Sequence, residues 1–472
     1  MQRSRVRARA TSHWFATAPI ALAAAFSTGC GGDDSYGGAT STTTASSAGG
    51  SGAEGGHSGT GGAGGATGQG GDGGAAPGPV PLLVRDQLGN PLAGISVVIN
   101  DAAGAVAAPV LTTDASGTVE VTVPLGGSAS VFHTEGLAYR IHALYNVPPG
   151  TPIVFDLYIV PPPPSTPATT YSIYPSSYPP GTTGLELHGT CVGVSTQPGS
   201  KFPSVDNASC SDTPQDFLAV AHSATGAVIG WNLLESAPTN PGGVVDLSVA
   251  LTDTSVSTID VSLTDIPAGA TEAYVSANLA KSHVYTSTST PPVAPGGSTV
   301  SGSIVLPNIA GATFGWAQGV SVDTSPDVGS SMGRSQQGPA LPASASFSAD
   351  SFTWISVNPL DTSDAAHPTV TWSSTKQPVA DDAFVHVGWT GGSSTFDFSA
   401  RLPAGGATSL RLADIPDELA SYRPATTSVF GGAYVYWEEL DVVNGFADVC
   451  DGVTLDEMNQ GMTYSGGWNY LP

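Results

Sequence analysis

Val80-Pro-Leu-Leu-Val-Arg-Asp-Gln-Leu-Gly-Asn-Pro-Leu-Ala-Gly-Ile-Ser-Val-Val-Ile-Asn100 is where order begins and where the fold class is decided. Val80 to Arg85 reads as a strand. Asp86 to Pro91 supplies residues that fit a tight bend, and Ile95 to Ile99 reads as the returning strand. Val110 to Thr113 then leads into the turn Asp114-Ala-Ser-Gly117, and Thr118 to Val123 alternates as a half-buried strand should. Ser130 to His133, Ala138 to Tyr145 and Pro152 to Ile159 continue the rhythm. Strands spaced by about 8–12 residues with turn signals between them predict a small antiparallel sandwich.

Two turn motifs sharpen that reading. Val84-x-Asp86-x-x-Gly89-x-Pro91-Leu92-x-Gly94-x-x-Val97 is followed by Thr113-Asp114-x-x-Gly117 and Val123-Pro124-x-Gly126. In this order, over residues 80–160, the pattern resembles the carboxypeptidase regulatory-like domain. The resemblance implies a transthyretin-like (prealbumin-like) sandwich. It also implies an accessory module that stabilises, spaces or binds and carries no catalytic residues of its own. Immunoglobulin-like repeats of bacterial surface proteins share much of the pattern, and both readings stand.

Upstream, the chain gives an address. Arg3, Arg5, Arg7 and Arg9 precede an apolar run from Trp14 to Phe26, the build of a secretory signal peptide spanning residues 1–29. Ser27-Thr28-Gly29-Cys30 resembles the lipobox of bacterial lipoproteins and departs from it at Ser27, where that family has Leu. The resemblance implies lipidation of Cys30 and a membrane partner reached through that lipid, at the outer membrane or cell surface; simple secretion is the alternative. Residues 30–79 are Gly, Ser, Thr and Ala with almost nothing apolar, so they cannot offset their own ordering entropy. They are expected to form a disordered tether with an r.m.s. reach of roughly 40 Å.

Downstream, Pro161 to Pro164 begin a stiff spacer over 161–169. Strands are expected at Phe217 to Ala221, Val228 to Leu234, Val244 to Leu251, Ile259 to Leu263, Ala273 to Ala277, Thr299 to Leu306 and Thr313 to Trp316. More follow at Phe352 to Val357, Val370 to Trp372, Phe384 to Trp389, Phe396 to Leu402 and Ala433 to Trp437. A Pro/Gly break at 291–297 divides this region into expected modules at 170–295 and 296–472, the second with an acidic end. Ser257-Thr-Ile-Asp-Val-Ser262 with Ile266-Pro-Ala-Gly, and Ser394-Thr-Phe-Asp-Phe-Ser399 with Leu402-Pro-Ala-Gly, fit either a duplication or chance in a biased composition. The expected fold class is therefore all-β: several antiparallel sandwiches, Ig-like or transthyretin-like, behind a disordered Gly-rich linker.

Composition agrees. Gly 60 and Pro 38 suit short strands with many turns, and the formal net charge is −25. Removing residues 1–29 takes away four arginines and no acids, which leaves 9 basic against 38 acidic residues. A field of that sign repels phosphate backbones, so nucleic acid is excluded as a partner. No apolar run after Cys30 approaches the roughly 20 residues of a membrane helix, and the alternating segments are too short and irregular for a membrane barrel.

Candidate chemistry is sparse. Cys191 and Cys210 bracket a polar loop and are the expected disulfide, worth about 3 kcal/mol in the chain-entropy model. A metal site through His188 and Cys191 is the competing reading. Cys450 is either buried and free or a substitute partner in that disulfide. Gly329-Ser-Ser331-Met-Gly333 matches the nucleophile-elbow pattern but lacks a flanking apolar strand and helix, so it reads as a Ser/Gly loop. Asp448, Asp451, Asp456 and Glu457 offer oxygen ligands for calcium, and a solvated acidic terminus accounts for them equally. The same acids could supply paired carboxylates for glycoside hydrolysis. Tyr434, Trp437 and Trp468, with other tyrosines near the end, are candidates for stacking on carbohydrate, or they fill cores. No cofactor is expected beyond that calcium. Two functional readings follow. One is a lipid-anchored, non-enzymatic envelope protein that binds, spaces or assembles. The other is an exported carbohydrate-binding or carbohydrate-active protein, so the open partners are a polysaccharide or a protein ligand.

Overall fold

The structure, a computed structural model, describes residues 78–86, 89–157, 167–189, 192–206, 215–281, 284–289, 298–325, 328–351, 353–376, 380–441, 443–453 and 461–470. The signal region, Cys30, the Gly-rich tract, Cys191, Cys210, Asp456 and Glu457 lie outside the described residues. Within them the chain is all-β, with four successive groups of seven strands, each folded into two layers.

The first group is β1 (Val80–Asp86), β2 (Ser96–Asn100), β3 (Leu111–Thr112), β4 (Thr118–Val121), β5 (Ser128–Glu135), β6 (Ala138–Tyr145) and β7 (Ile153–Leu157). One layer runs β4-β1-β7, with β1 and β7 parallel, and the other runs β6-β5-β2-β3. Leu82, Val84, Val97, Ile99, Val131 and Ile153 fill the space between them. The turns form as their residues dictate. The Asp114 carboxylate accepts from the Ser116 and Thr118 amides at 2.8 and 3.1 Å. Gly117 sits at φ +72°, where a Cβ would press on the Val84 carbonyl and Pro91.

The second group is β8 (Thr170–Ser177), β9 (Gly184–Gly189), β10 (Val192–Thr196), β11 (Val205–Asp206), β12 (Gln215–His222), β13 (Val228–Ala237) and β14 (Val244–Ala250). Its layers are β11-β8-β14, again with first and last strands parallel, and β13-β12-β9-β10. The third is β15 (Val256–Thr264), β16 (Glu272–Lys281), β17 (Val284–Ser289), β18 (Val300–Pro307), β19 (Thr313–Ser325), β20 (Val328–Gly338) and β21 (Ser344–Ser348). Its layers, β18-β15-β21 and β20-β19-β16-β17, repeat the same strand order. The fourth is β22 (Ile355–Val357), β23 (Thr369–Ser374), β24 (Asp382–Gly391), β25 (Ser394–Pro403), β26 (Ser409–Arg411), β27 (Val429–Leu440) and β28 (Met462–Tyr470), in a different order: β22-β23-β26 against β25-β24-β27-β28.

The larger layers of the third, fourth and first sandwiches join edge to edge. β20 pairs antiparallel with β28, and β25 pairs parallel with β6. The product is one twelve-stranded sheet, β17-β16-β19-β20-β28-β27-β24-β25-β6-β5-β2-β3. The second sandwich keeps its own sheets and lays Leu218, Val220, Val228 and Trp231 against the core of the third. The division expected at 295/296 falls inside the third sandwich, between β17 and β18. The two similar segments at Ser257 and Ser394 fall on the first strand of one sandwich and the fourth strand of another, so topology does not equate them.

One local expectation is corrected. Gly329 to Gly333 is not a loop: it lies within β20, inside the large sheet. In the acidic end, Asp448 and Asp451 are exposed, on and just after the short helix α1 (Phe446–Cys450), which precedes β28. No described helix is long and apolar enough to cross a membrane.

Candidate functional site

The two faces of the twelve-stranded sheet differ in what covers them. From β24 to β28 one face carries Ala383, Val385, Trp389, Val435 and Trp437 into the core beneath β22, β23 and β26. The opposite face, which is the outer face of both the third and fourth sandwiches, contributes no residue to any of the four hydrophobic cores between β16 and β24. It is paved with aromatic rings. Tyr274 and Tyr464 meet through their hydroxyls at 3.0 Å. Tyr464 and Tyr436 lie 6.5 Å apart, and Tyr436 and Tyr434 5.2 Å apart. Tyr434 then stacks on His386 at 4.6 Å and approaches Phe384 at 6.0 Å. From β16 to β24 this strip crosses five strand spacings, roughly 24 Å.

Glycines seat the rings. A Cβ on Gly329 would overlap the Trp468 ring; on Gly333, Tyr464; on Gly319, Tyr274; and on Gly466, Tyr436. Each ring thus reaches over the neighbouring strand at a bare glycine backbone, and Tyr436 and Tyr464 meet with their planes 67° apart. Trp468 and Tyr464 are 5% exposed, whereas Tyr274, Tyr434, Tyr436 and Phe384 are half-buried and hold the accessible ring surface.

At the first sandwich the same face passes under the layer of β4, β1 and β7, and polar residues gather before that step. His133 and His142 face each other, with Nε2 atoms 3.3 Å apart and ring planes 14° from parallel. Burial, with the Arg140 charge, pushes His133 down to about 4, and burial pushes His142 down to about 3. Arg140 is held by Glu135 at 3.2 Å and Asp397 at 3.9 Å. Arg401 lies 2.7 Å from Asp382 and 3.0 Å from Glu438, and its guanidinium lies over the Phe384 ring. Asp382 is fully buried, and burial raises its carboxyl to about 7 against the pull of Arg401. Helix α1 closes this end, placing the buried, unpaired Cys450 near Asp382; burial pushes its thiol up to about 12, so it is inert at neutral pH.

A cleft of about 430 Å³ opens where the second sandwich meets β18 of the third. Thr183, Ser195, Thr196 and Ser223 line its polar side, and Val220, Val228, Val305 and Leu306 its apolar side. Glu186 stands in it with Oε2 3.3 Å from His188 Nε2 and 3.2 Å from His222 Nε2. Hydrogen bonds from both imidazoles hold its carboxyl far below the usual range. Burial works against charge on His222, and the Glu186 carboxylate outweighs it, so the His222 value rises. Sequence reading missed Glu186; a Glu-x-His spacing on an alternating strand was the available signal.

The residues singled out from sequence fall in different places. Tyr434 and Trp468 are register partners on the paved face. Trp437 points to the other side, into the core at 4% exposure. Asp448 accepts the Asn444 amide at 2.9 Å, in the turn that leads into α1, and Asp451 follows the helix as its exposed C-cap. Among the described residues no three His, Cys, Asp or Glu side chains are grouped to hold a metal ion. Ser331, the central residue of the elbow-like motif, is buried in the sheet between two ring-seating glycines.

No protein-family model matches the chain, and no curated protein does. Among solved structures, a leucine-rich repeat protein from Bacteroides thetaiotaomicron shares 10% identity at a TM-score of 0.15, over 39% of this chain and 26% of that one. The chain thus spans about a quarter of that protein's length. A tetra-tandem repeat from the extending region of a large adhesion protein shares 12% identity at a TM-score of 0.12, over 76% and 95% of the two chains. A streptococcal ancillary pilin shares 9% at 0.14, over 68% and 95%. Overlap of that quality carries no argument about function.

Proposed function

We propose that this chain is an exported cell-envelope protein with a non-enzymatic binding or spacing role, anchored through a lipid on Cys30 and displayed on its Gly-rich tether. The observation that supports this reading is the edge-to-edge joining of three sandwiches into one twelve-stranded sheet. Backbone hydrogen bonds across both junctions make a stiff platform from modules that would otherwise move independently. The platform presents an outer face two sandwiches wide that no described hydrophobic core covers. The signal-like head, the small residues before Cys30 and the transthyretin-like pattern of 80–160 suit the same role. The test is the mature amino terminus. Intact mass should show acylated Cys30, and Cys30→Ala should move the protein from the membrane fraction to the soluble fraction. Wild-type protein that is soluble and cleaved elsewhere would overturn the anchor.

A further inference from the structure

We infer that the paved outer face of the third and fourth sandwiches binds a neutral polysaccharide; the inference rests on the binding role proposed above and names its ligand class. Three features carry it. The half-buried rings of Tyr274, Tyr434, Tyr436 and Phe384 form a partly exposed aromatic strip on the side no described core covers, with the nearly buried Tyr464 and Trp468 packed beside them. A sugar ring presents a face of C–H groups rimmed by hydroxyls, and flat aromatic rings with polar groups around them complement that shape. The strip runs roughly 24 Å in one direction across the strands, which suits an extended chain better than a single small molecule.

Charge selects the class. Both arginines near the strip are already in ion pairs, Arg401 with Asp382 and Glu438 and Arg140 with Glu135 and Asp397. At the other end Glu272 adds a carboxylate beside Tyr274, its pKa raised by burial and by the nearby Asp323 charge. With no unpaired cation along the strip among the described residues and a chain at −25, a polyanionic glycan or nucleic acid meets only repulsion. The paired charges and the tyrosine hydroxyls still offer hydrogen bonds to uncharged hydroxyl groups.

The experiment is native affinity electrophoresis of the full chain in gels containing hydroxyethylcellulose, xylan, galactomannan or mixed-linkage β-glucan, with alginate as the anionic comparison. Retardation by at least one neutral polymer and none by alginate is expected. The double variant Tyr434→Ala/Tyr436→Ala should weaken binding about tenfold or more, and Tyr274→Ala should weaken it less. Leu125→Ser, at a 74%-exposed position in a loop of the first sandwich, should leave it unchanged. Circular dichroism and thermal melting establish that each variant is folded; should the double variant unfold, Tyr274→Ala alone decides. Retardation by no neutral polymer, or binding that survives all the tyrosine substitutions, overturns the inference. Loss of glycan binding with acylated Cys30 intact leaves the anchored-display reading standing, while glycan binding by a protein never found at a membrane removes the anchor alone.

Discussion

Tyr434 and Trp437 stand three residues apart on β27 and serve opposite faces of one sheet. Trp437 packs among Val385, Val435 and Ile355 in the fourth core, and Tyr434 lies between His386 and Tyr436 on the side outside the described cores. Both are aromatic residues on a sandwich strand, and only register separates filler from surface. The largest effect that tests the contrast is on stability. Trp437→Ala should cost about 3–5 kcal/mol in equilibrium urea unfolding, and Tyr434→Ala about 1 kcal/mol or less. Equal losses would mean that Tyr434 belongs to a core after all.

The second test concerns the seats. Gly329→Val places side-chain atoms where the Trp468 ring lies, so the ring must lift or the strands must part. About 1–3 kcal/mol of destabilisation is expected, with a change in near-ultraviolet circular dichroism from the displaced indole. Gly338→Ala, on the same strand with only the Ala340 carbonyl within 3.9 Å, should be close to neutral. If both substitutions behave alike, the glycines are not seats and the rings do not depend on them.

β20 also shows where sequence reading failed. Val-Gly-Ser-Ser-Met-Gly-Arg-Ser-Gln-Gln-Gly has low strand propensity and reads as a loop, yet it is an inner strand. Its small residues are chosen by the rings above them, and those rings come from β28, more than a hundred residues later. Strands with alternating valine, phenylalanine and leucine, such as β24 and β25, were legible because their own side chains record which face is buried. The turn at Asp114–Gly117 was legible because the bend is built from its own residues. The paved face was not, because a face is a property of register, and register between β27, β28 and β20 leaves no local mark. The same holds for the module borders. Composition breaks at prolines suggested 295/296, while the sandwiches close by pairing first and last strands, such as β15 with β21.

Histidines give a smaller test and a second contrast. His133 and His142, under the first sandwich, are held below the ordinary imidazole value of 6.5, so the unfolded chain takes up its protons before the folded one does. They cost nothing above pH 6.5, and stability falls as the pH drops from there toward about 4. Relative to wild type, His133→Asn should remove about 1 kcal/mol of that acid loss, read as a flatter dependence of the urea midpoint on pH. A variant that parallels wild type across this range would show that the pair is not buried in its neutral form.

His222 should titrate in the opposite sense. Its value in the folded chain is raised, because the Glu186 carboxylate 3.2 Å away favours the imidazolium more than burial opposes it. Any stability it lends is therefore present below the ordinary histidine value and is lost as pH rises through the folded one. Glu186 is 43% exposed, so solvent screens the pair and little of this will appear in unfolding. The titration itself is the better readout. In Glu186→Gln the charge is gone and only burial remains, so the His222 imidazole resonances should titrate at lower pH than in wild type, with His133 and His142 unmoved. A His222 titration unaffected by the substitution would mean that the carboxylate does not face the ring. Glu186 would then pair with His188 alone, and the two histidine groups would differ in burial alone.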